Sequence, residues 1–147
     1  MKYLDALIIG AGFSGLYQLH CLRDKLKLNT LVVEEGKDIG GTWYWNTYPG
    51  ARCDSESFTY GFTFSEKIFK NWTWKERYPK QNVILKYLKY FSNELKLKKN
   101  IVFNEKVISA KYIEKNNLWK IQTNNKKKYY TKSVSYTHLT LPTTRLV

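Results

Sequence analysis

The chain has 147 residues, about one domain on the usual scale of roughly 100–200 residues per domain, which excludes a multi-domain machine. A hydrophobic content of 43%, with 16% aromatic and 25% charged residues, can fill a core and excludes a disordered chain. The formal charge of +13 sits late: residues 1–94 hold 13 basic and 10 acidic side chains, while residues 95–132 hold 11 lysines against Glu105 and Glu114.

Such a charge raises nucleic acid or an anionic membrane surface as a partner. Arginine is the preferred residue for bidentate phosphate and base recognition, and only Arg23, Arg52, Arg77 and Arg145 are present. A solvated lysine-rich surface is therefore the expected reading, with no nucleic-acid partner. No apolar run approaches the roughly 18 residues needed to span a bilayer, so no membrane association is expected. The first residues lack a signal peptide's apolar core, which points to the cytoplasm. Cys21 and Cys53 are too far apart for a C-x-x-C pair and are expected to be free thiols.

In chain order, Tyr3 to Ile9 is apolar, partly β-branched and closed by Gly10, as in a buried parallel strand. Leu16, Leu19, Leu22 or Arg23, and Leu26 then recur at helical spacing, predicting an amphipathic helix of about three turns, with His20 on its outer face. Thr30 to Val33 is a second strand, which completes a βαβ unit with a right-handed crossover. Residues 36–80 have little periodicity but many aromatics, and a loop-rich segment of that length is uncommon unless functional. Ile84, Leu88, Phe91 and Leu95 form an apolar stripe that predicts a helix from about Gln81 to Leu95. Ile101–Asn104, Val107–Ile113, Leu118–Thr123 and Lys128–Thr131 read as short strands joined by Asn-rich turns, an antiparallel meander. The stretch Ser133 to Thr144 resembles the in-frame translation of a transposase sequencing adapter, so residues 133–147 are expected to be a non-native tail, with His138 inside it.

Gly10-Ala11-Gly12-Phe13-Ser14-Gly15 fits G-x-G-x-x-G in its confirming context, after a strand and opening a helix. Gly10 permits the tight turn, Gly12 the approach of a pyrophosphate, and Gly15 close packing of helix on strand. The helix start offers unpaired N–H groups and the positive end of its dipole to phosphate. An acidic residue about 20 positions beyond the last glycine binds ribose hydroxyls, and Glu34 stands there; it disfavours a 2′-phosphate and so points to FAD or NAD, without separating the two. Glu35 is expected to point the other way.

Gly40 to Asp54, running Gly-Gly-Thr-Trp-Tyr-Trp-Asn-Thr-Tyr-Pro-Gly-Ala-Arg-Cys-Asp, resembles the FAD-binding segment of the Baeyer–Villiger flavin monooxygenases of the cyclohexanone and phenylacetone monooxygenase type. The run Trp74-Lys75-Glu76-Arg77-Tyr78 before a helix is also similar to the family's pattern, and the resemblance covers nearly all of residues 4–132. It implies that Gly10, Gly12, Phe13, Ser14 and Gly15 hold the FAD pyrophosphate, Glu34 the adenosine ribose, and Val107 the adenine through its backbone. It implies further that Thr42, Trp43, Tyr44 and Trp45 line the flavin side, that Tyr60 closes over the cofactor, that Asp54 lies by the isoalloxazine and nicotinamide, and that Arg52 and Cys53 border the NADPH-facing side.

The fold expected is α/β: a Rossmann-like FAD-binding domain over residues 1–132, with a βαβ start and a parallel sheet carrying an antiparallel β-meander. It is expected to be incomplete, with an open sheet edge that leaves the piece poorly folded and inactive alone. The activity implied is NADPH-dependent insertion of oxygen from O2 next to a ketone carbonyl, or onto a sulfide. The family's second glycine motif, its Phe-x-Gly-x-x-x-His segment and its catalytic arginine have no counterpart here, so no catalytic residue is expected beyond a supporting Asp54. Two other readings stand beside this one: a different FAD- or NAD-dependent oxidoreductase, and a basic nucleotide- or nucleic-acid-binding module. From the residues alone, an ion pair between Arg52 and Asp54 would give that loop a merely structural role.

Overall fold

Strand β1, Tyr3–Ile9, takes the whole apolar run and stops at Gly10, whose φ of +96° turns the chain into the glycine-rich loop. Helix α1, Phe13–His20, follows, then strand β2, Thr30–Val33, parallel to β1 with Ala6 opposite Thr30 and Ile9 opposite Val33. The computed structural model describes residues 3–136. Short helices α2, Thr42–Trp45, and α3, Glu66–Lys70, interrupt the long connection to α4, Gln81–Glu94, which leads to strand β3, Ile101–Val102. Strands β4, Val107–Ile113, β5, Leu118–Thr123, and β6, Lys128–Tyr136, complete a six-stranded sheet of order β3-β2-β1-β6-β5-β4.

Two strand expectations change. Ile101–Asn104 does not open the meander: only Ile101 and Val102 are strand, and they pair in parallel with Val32 and Val33. Asn104, at φ +56°, turns the chain out of the extended conformation just beyond them. The antiparallel meander therefore has three strands, β4 to β6. Strand β6 also runs past Thr131 to Tyr136, so Ser133–Tyr136, the first residues of the adapter-like stretch, lie in parallel register with Ala6–Ile9. β1 is an interior strand between β2 and β6, and its full length, Tyr3 to Ile9, supplies the ladder for this extension. His138 and the rest of that stretch lie outside the described residues.

The sheet order forces a curl. Five strand spacings from β3 to β4 would span about 24 Å on a flat sheet, whereas the chain from Val102 to Val107 reaches at most about 18 Å. The meander accordingly folds back on the parallel strands, and Leu7, Ile9 and Val33 pack with Val107, Ala110 and Ile121 in one core. On the opposite face Ile8 and Val32 meet Leu16, Leu19, Ile84, Leu88 and Phe91 of the helices. The glycine loop and the end of β2 lie where these layers meet.

Helix α1 is shorter than its periodicity suggests. A wider turn over Cys21–Lys25, closed by the Leu26 N–H to the Cys21 carbonyl at 3.0 Å, shifts the phase and leaves Leu26 62% exposed. The same turn brings Arg23 onto the carbonyls of Leu95 and Lys96 and the Asn100 side chain. His20 is not on the outer face: its ring stacks on Phe64 with centroids 4.8 Å apart, and Nδ1 lies 2.8 Å from Asp24. Both cysteines are free.

The aromatic segment packs around Phe62, whose ring centroid lies 4.1 Å from Phe91 and 5.3 Å from Phe13. The Phe62 N–H donates to the Tyr87 hydroxyl at 2.6 Å, and Trp74 packs on the same Tyr87 ring. Loop 51–57 is tied to 77–81 by Cys53 N–H to Pro79 O, Ser57 N–H to Arg77 O and Gln81 N–H to Ala51 O. These contacts hold an otherwise irregular loop against α4. Part of the lysine excess is used internally, since Lys98, Lys106, Lys127 and Lys132 pair with Asp38, Glu35, Glu105 and Asp5.

Candidate dinucleotide site

Two glycine pairs shape the site. A Cβ on Gly15 would stand 2.0 Å from the Gly10 carbonyl oxygen, so only glycine lets α1 start this close to the turn that follows β1. A Cβ on Gly41, where φ is +53°, would stand 2.9 Å from the Cα of Gly12, so the loop before α2 crosses the first glycine motif backbone against backbone. The Gly40 N–H donates to the Ala11 carbonyl at 2.9 Å and fixes that crossing.

Glu34, at the end of β2, is 4% exposed. Its carboxylate accepts from the Ala11 N–H at 2.6 Å through Oε2 and from the Gly36 N–H at 2.7 Å through Oε1. Each carboxylate oxygen has a second lone-pair direction, so both can still receive a hydroxyl donor. Glu35 is exposed and pairs with Lys106 at 3.0 Å, yet it too borders the cavity beside Glu34, so it does not turn wholly away as strand alternation suggested.

Between these elements lies a cavity of about 580 Å³. It brings together Gly10, Gly12, Phe13, Ser14, Glu34, Thr42, Trp43, Trp45, Tyr60 and Val107 from the residues expected. At the α2 end the Trp43 indole N–H donates to the Tyr60 hydroxyl at 3.1 Å, and the Gln81 amide holds the Trp43 carbonyl. The Tyr60 ring meets Phe13 edge-on at 4.9 Å. Burial pushes the Tyr60 hydroxyl's pKa up, so it stays protonated and able to donate.

Gly15, Tyr44, Arg52, Cys53 and Asp54 lie outside the cavity lining. Gly15 is buried behind the loop, and the Tyr44 hydroxyl accepts from the Lys37 N–H at 3.2 Å. Cys53 is buried in the helical core. Arg52 pairs with Glu76 at 2.9 Å and donates to the Tyr78 carbonyl, so the Arg52–Asp54 ion pair does not form; Asp54 is exposed. Sequence reasoning passed over Gly41, Asn46, Glu105 and Lys106, which also line the cavity. Gly41 lay inside the aromatic motif, but nothing in the pattern marked Glu105 or Lys106 beyond adjacency to Val107. Among the described residues no acidic, histidine or cysteine cluster could hold a metal, and no helix is long and apolar enough to cross a membrane.

A glycine turn opening a helix, a carboxylate at the end of the next parallel strand and a cleft between them define a Rossmann-like dinucleotide-binding domain. The family profile described as "NAD(P)-binding Rossmann-like domain" matches residues 8–73. Within that class the chain is similar to the Baeyer–Villiger flavin monooxygenases. It is 42% identical over 120 residues to an acetone monooxygenase (methyl acetate-forming) of Gordonia sp., covering 82% of this chain and 22% of that protein. It is 41% identical over 129 residues to an FAD-binding monooxygenase of Aspergillus aculeatus, covering 88% of this chain and 21% of that one. The crystal structure of cyclohexanone monooxygenase from Rhodococcus sp. Phi1 bound to NADP+ superposes with a TM-score of 0.90 at 38% identity, over 92% of this chain and 25% of that chain. The chain thus spans about a fifth to a quarter of the length of the relatives it matches.

Proposed function

We propose that this chain is the FAD-binding part of an NADPH-dependent flavoprotein monooxygenase that inserts oxygen next to a ketone carbonyl. The observation that carries the proposal is the backbone crossing of Gly12 and Gly41 beside the buried Glu34 carboxylate, which leaves room for a dinucleotide and no room for side chains. FAD fits this cavity. Gly10 to Gly15 and the start of α1 hold the pyrophosphate, Glu34 receives the ribose hydroxyls, and Val107 meets the adenine through its backbone. Thr42, Trp43 and Trp45 form the flavin side, with Tyr44 behind them and Tyr60 closing over it. Arg52 and Asp54, both exposed, face the NADPH, with the buried Cys53 backing the loop that carries them; most of the NADPH contacts come from chain beyond this piece.

Bound FAD supplies the two-electron chemistry that lets NADPH activate O2. The residues in hand bind, orient and exclude water. Trp43 fixes the Tyr60 hydroxyl, and the Phe13, Tyr60 and Trp43 rings wall off the cavity from the aromatic core. The substrate is a small ketone or sulfide, and the location is the cytoplasm. Residues 1–132 are the native part and 133–147 a foreign tail. The piece alone is inactive and poorly folded.

The test is NADPH oxidation by the purified intact protein with and without small ketones. The proposal expects ketone-stimulated oxidation with an ester or lactone formed. NADPH oxidation indifferent to every ketone would instead favour another FAD- or NAD-dependent oxidoreductase.

A further inference from the structure

Glu105 is 1% exposed, lies on the cavity wall and has no part in the function argued above. It stands in the loop that carries the chain from the parallel strands to the meander, and it is bonded to both sides. Its N–H donates to the Glu34 carbonyl at 3.0 Å, so its backbone holds the end of β2. Its carboxylate turns the other way, accepting from Lys127 Nζ at 2.7 Å and from the Tyr129 hydroxyl at 2.9 Å. Those partners lie just before β6 and on it.

The next two residues reach the cavity too. Lys106 pairs with Glu35, and Val107 begins β4. Glu105, two residues before Val107, thus ties the end of β2, where Glu34 sits, through its backbone and the start of β6 through its carboxylate, and so braces the loop between the two groups assigned to the ends of an adenosine. Burial alone would push the Glu105 carboxyl up, but Lys127 and Tyr129 more than offset it and hold it below the usual carboxylate range. Tyr129, pushed up to about 12 by burial and by Glu105, remains a donor. The lock is therefore charged and closed at neutral pH.

The geometry points to Glu105 as a positioning residue for the adenosine half of the dinucleotide, acting through Lys127 and Tyr129 on the loop that sets Glu34 against Val107. This rests on the dinucleotide reading of the cavity. A misplaced loop should cost about one charged hydrogen bond's worth of ligand affinity, roughly tenfold.

The experiment uses the intact protein, its Glu105→Gln variant, which removes the buried charge and frees only the 56% exposed Lys127, and Lys127→Met, which leaves the buried carboxylate without its cation, with a denaturant melt of each. ADP titrated onto the intact protein stripped of flavin probes the adenosine half, and the visible spectrum of the flavin-loaded protein reports the other half. The inference expects ADP affinity to fall about tenfold in Glu105→Gln and at least as far in Lys127→Met, with the bound-flavin spectrum unchanged in both. ADP affinity equal to that of the unaltered protein would overturn it. So would a flavin spectrum that changes in step with ADP affinity, which marks general loosening rather than positioning. Failure of the unaltered protein to bind either ADP or flavin would remove the dinucleotide reading, and this inference with it.

Discussion

Gly41→Ala tests the backbone crossing that builds the cavity. The added Cβ would lie 2.9 Å from the Gly12 Cα, and backbone cannot rotate aside as a side chain can. Relieving the overlap means moving one glycine loop away from the other, at about 1–3 kcal/mol for an overpacked contact. The residue must also hold φ +53° and ψ −124°, which costs a non-glycine residue about 1–3 kcal/mol. The combined loss should be about 3 kcal/mol, or roughly a hundredfold in FAD affinity if the displaced loop carries it. Gly50→Ala is the control, because φ there is +83° but nothing lies within 4 Å of the added Cβ. It should lose only the backbone contribution, about 1 kcal/mol, and keep its flavin. FAD titration by fluorescence on the intact protein, with a urea melt alongside, separates the two. If Gly41→Ala binds FAD as well as Gly50→Ala, the close crossing is not what shapes the site.

Three further outcomes follow from the same contacts. Trp43→Phe removes the donor to the Tyr60 hydroxyl while keeping an aromatic ring, and should weaken FAD binding by about 0.5–1.5 kcal/mol; equal titration curves would show that this bond does not organise the flavin side. Phe91→Ala empties the centre of the aromatic core, where Phe91 is fully buried 4.1 Å from Phe62, and should lower stability by about 3–5 kcal/mol in a denaturant melt; a loss under 1 kcal/mol would mean the loop does not depend on α4. Asp38 is partly buried, which raises its pKa, but bonds from Lys98, Lys89 and the Ile39 N–H outweigh this and leave it below the ordinary 3.8. The unfolded chain therefore takes up the proton first, so the stabilisation is present above that value and is lost as pH falls through the folded one. Asp38→Asn should flatten this part of the acid melt, and an unchanged acid profile would contradict the assignment.

How much was legible beforehand depended on whether chemistry or context set each feature. β1 and β2 fell where apolar runs met Gly10 and Glu34, and α4 followed its stripe, because these elements are set by local pattern. The π-type turn after His20 was not visible, since one extra residue in a helical turn leaves no mark in composition, and it moved Leu26 outward and Arg23 onto Leu95. β3 was assigned to the wrong part of the sheet because a two-residue strand carries no signal for its partner. At the site, Glu34 and the glycines were legible from spacing alone. Arg52 was not, because its partner Glu76 lies across a loop with no periodicity. Glu105 was hidden for a related reason: in a lysine-rich segment a single glutamate looks like surface, and only the fold buries it beside Tyr129.

The central claim is that the cleft between Gly12, Gly41 and Glu34 holds the adenosine and pyrophosphate of FAD. The most direct measurement is the visible absorbance of the purified intact protein, followed by identification of the released flavin. The account predicts a yellow protein that releases FAD and loses it in Gly41→Ala. A colourless protein that takes up no FAD on titration, and instead binds DNA or RNA with steep salt dependence, would contradict it.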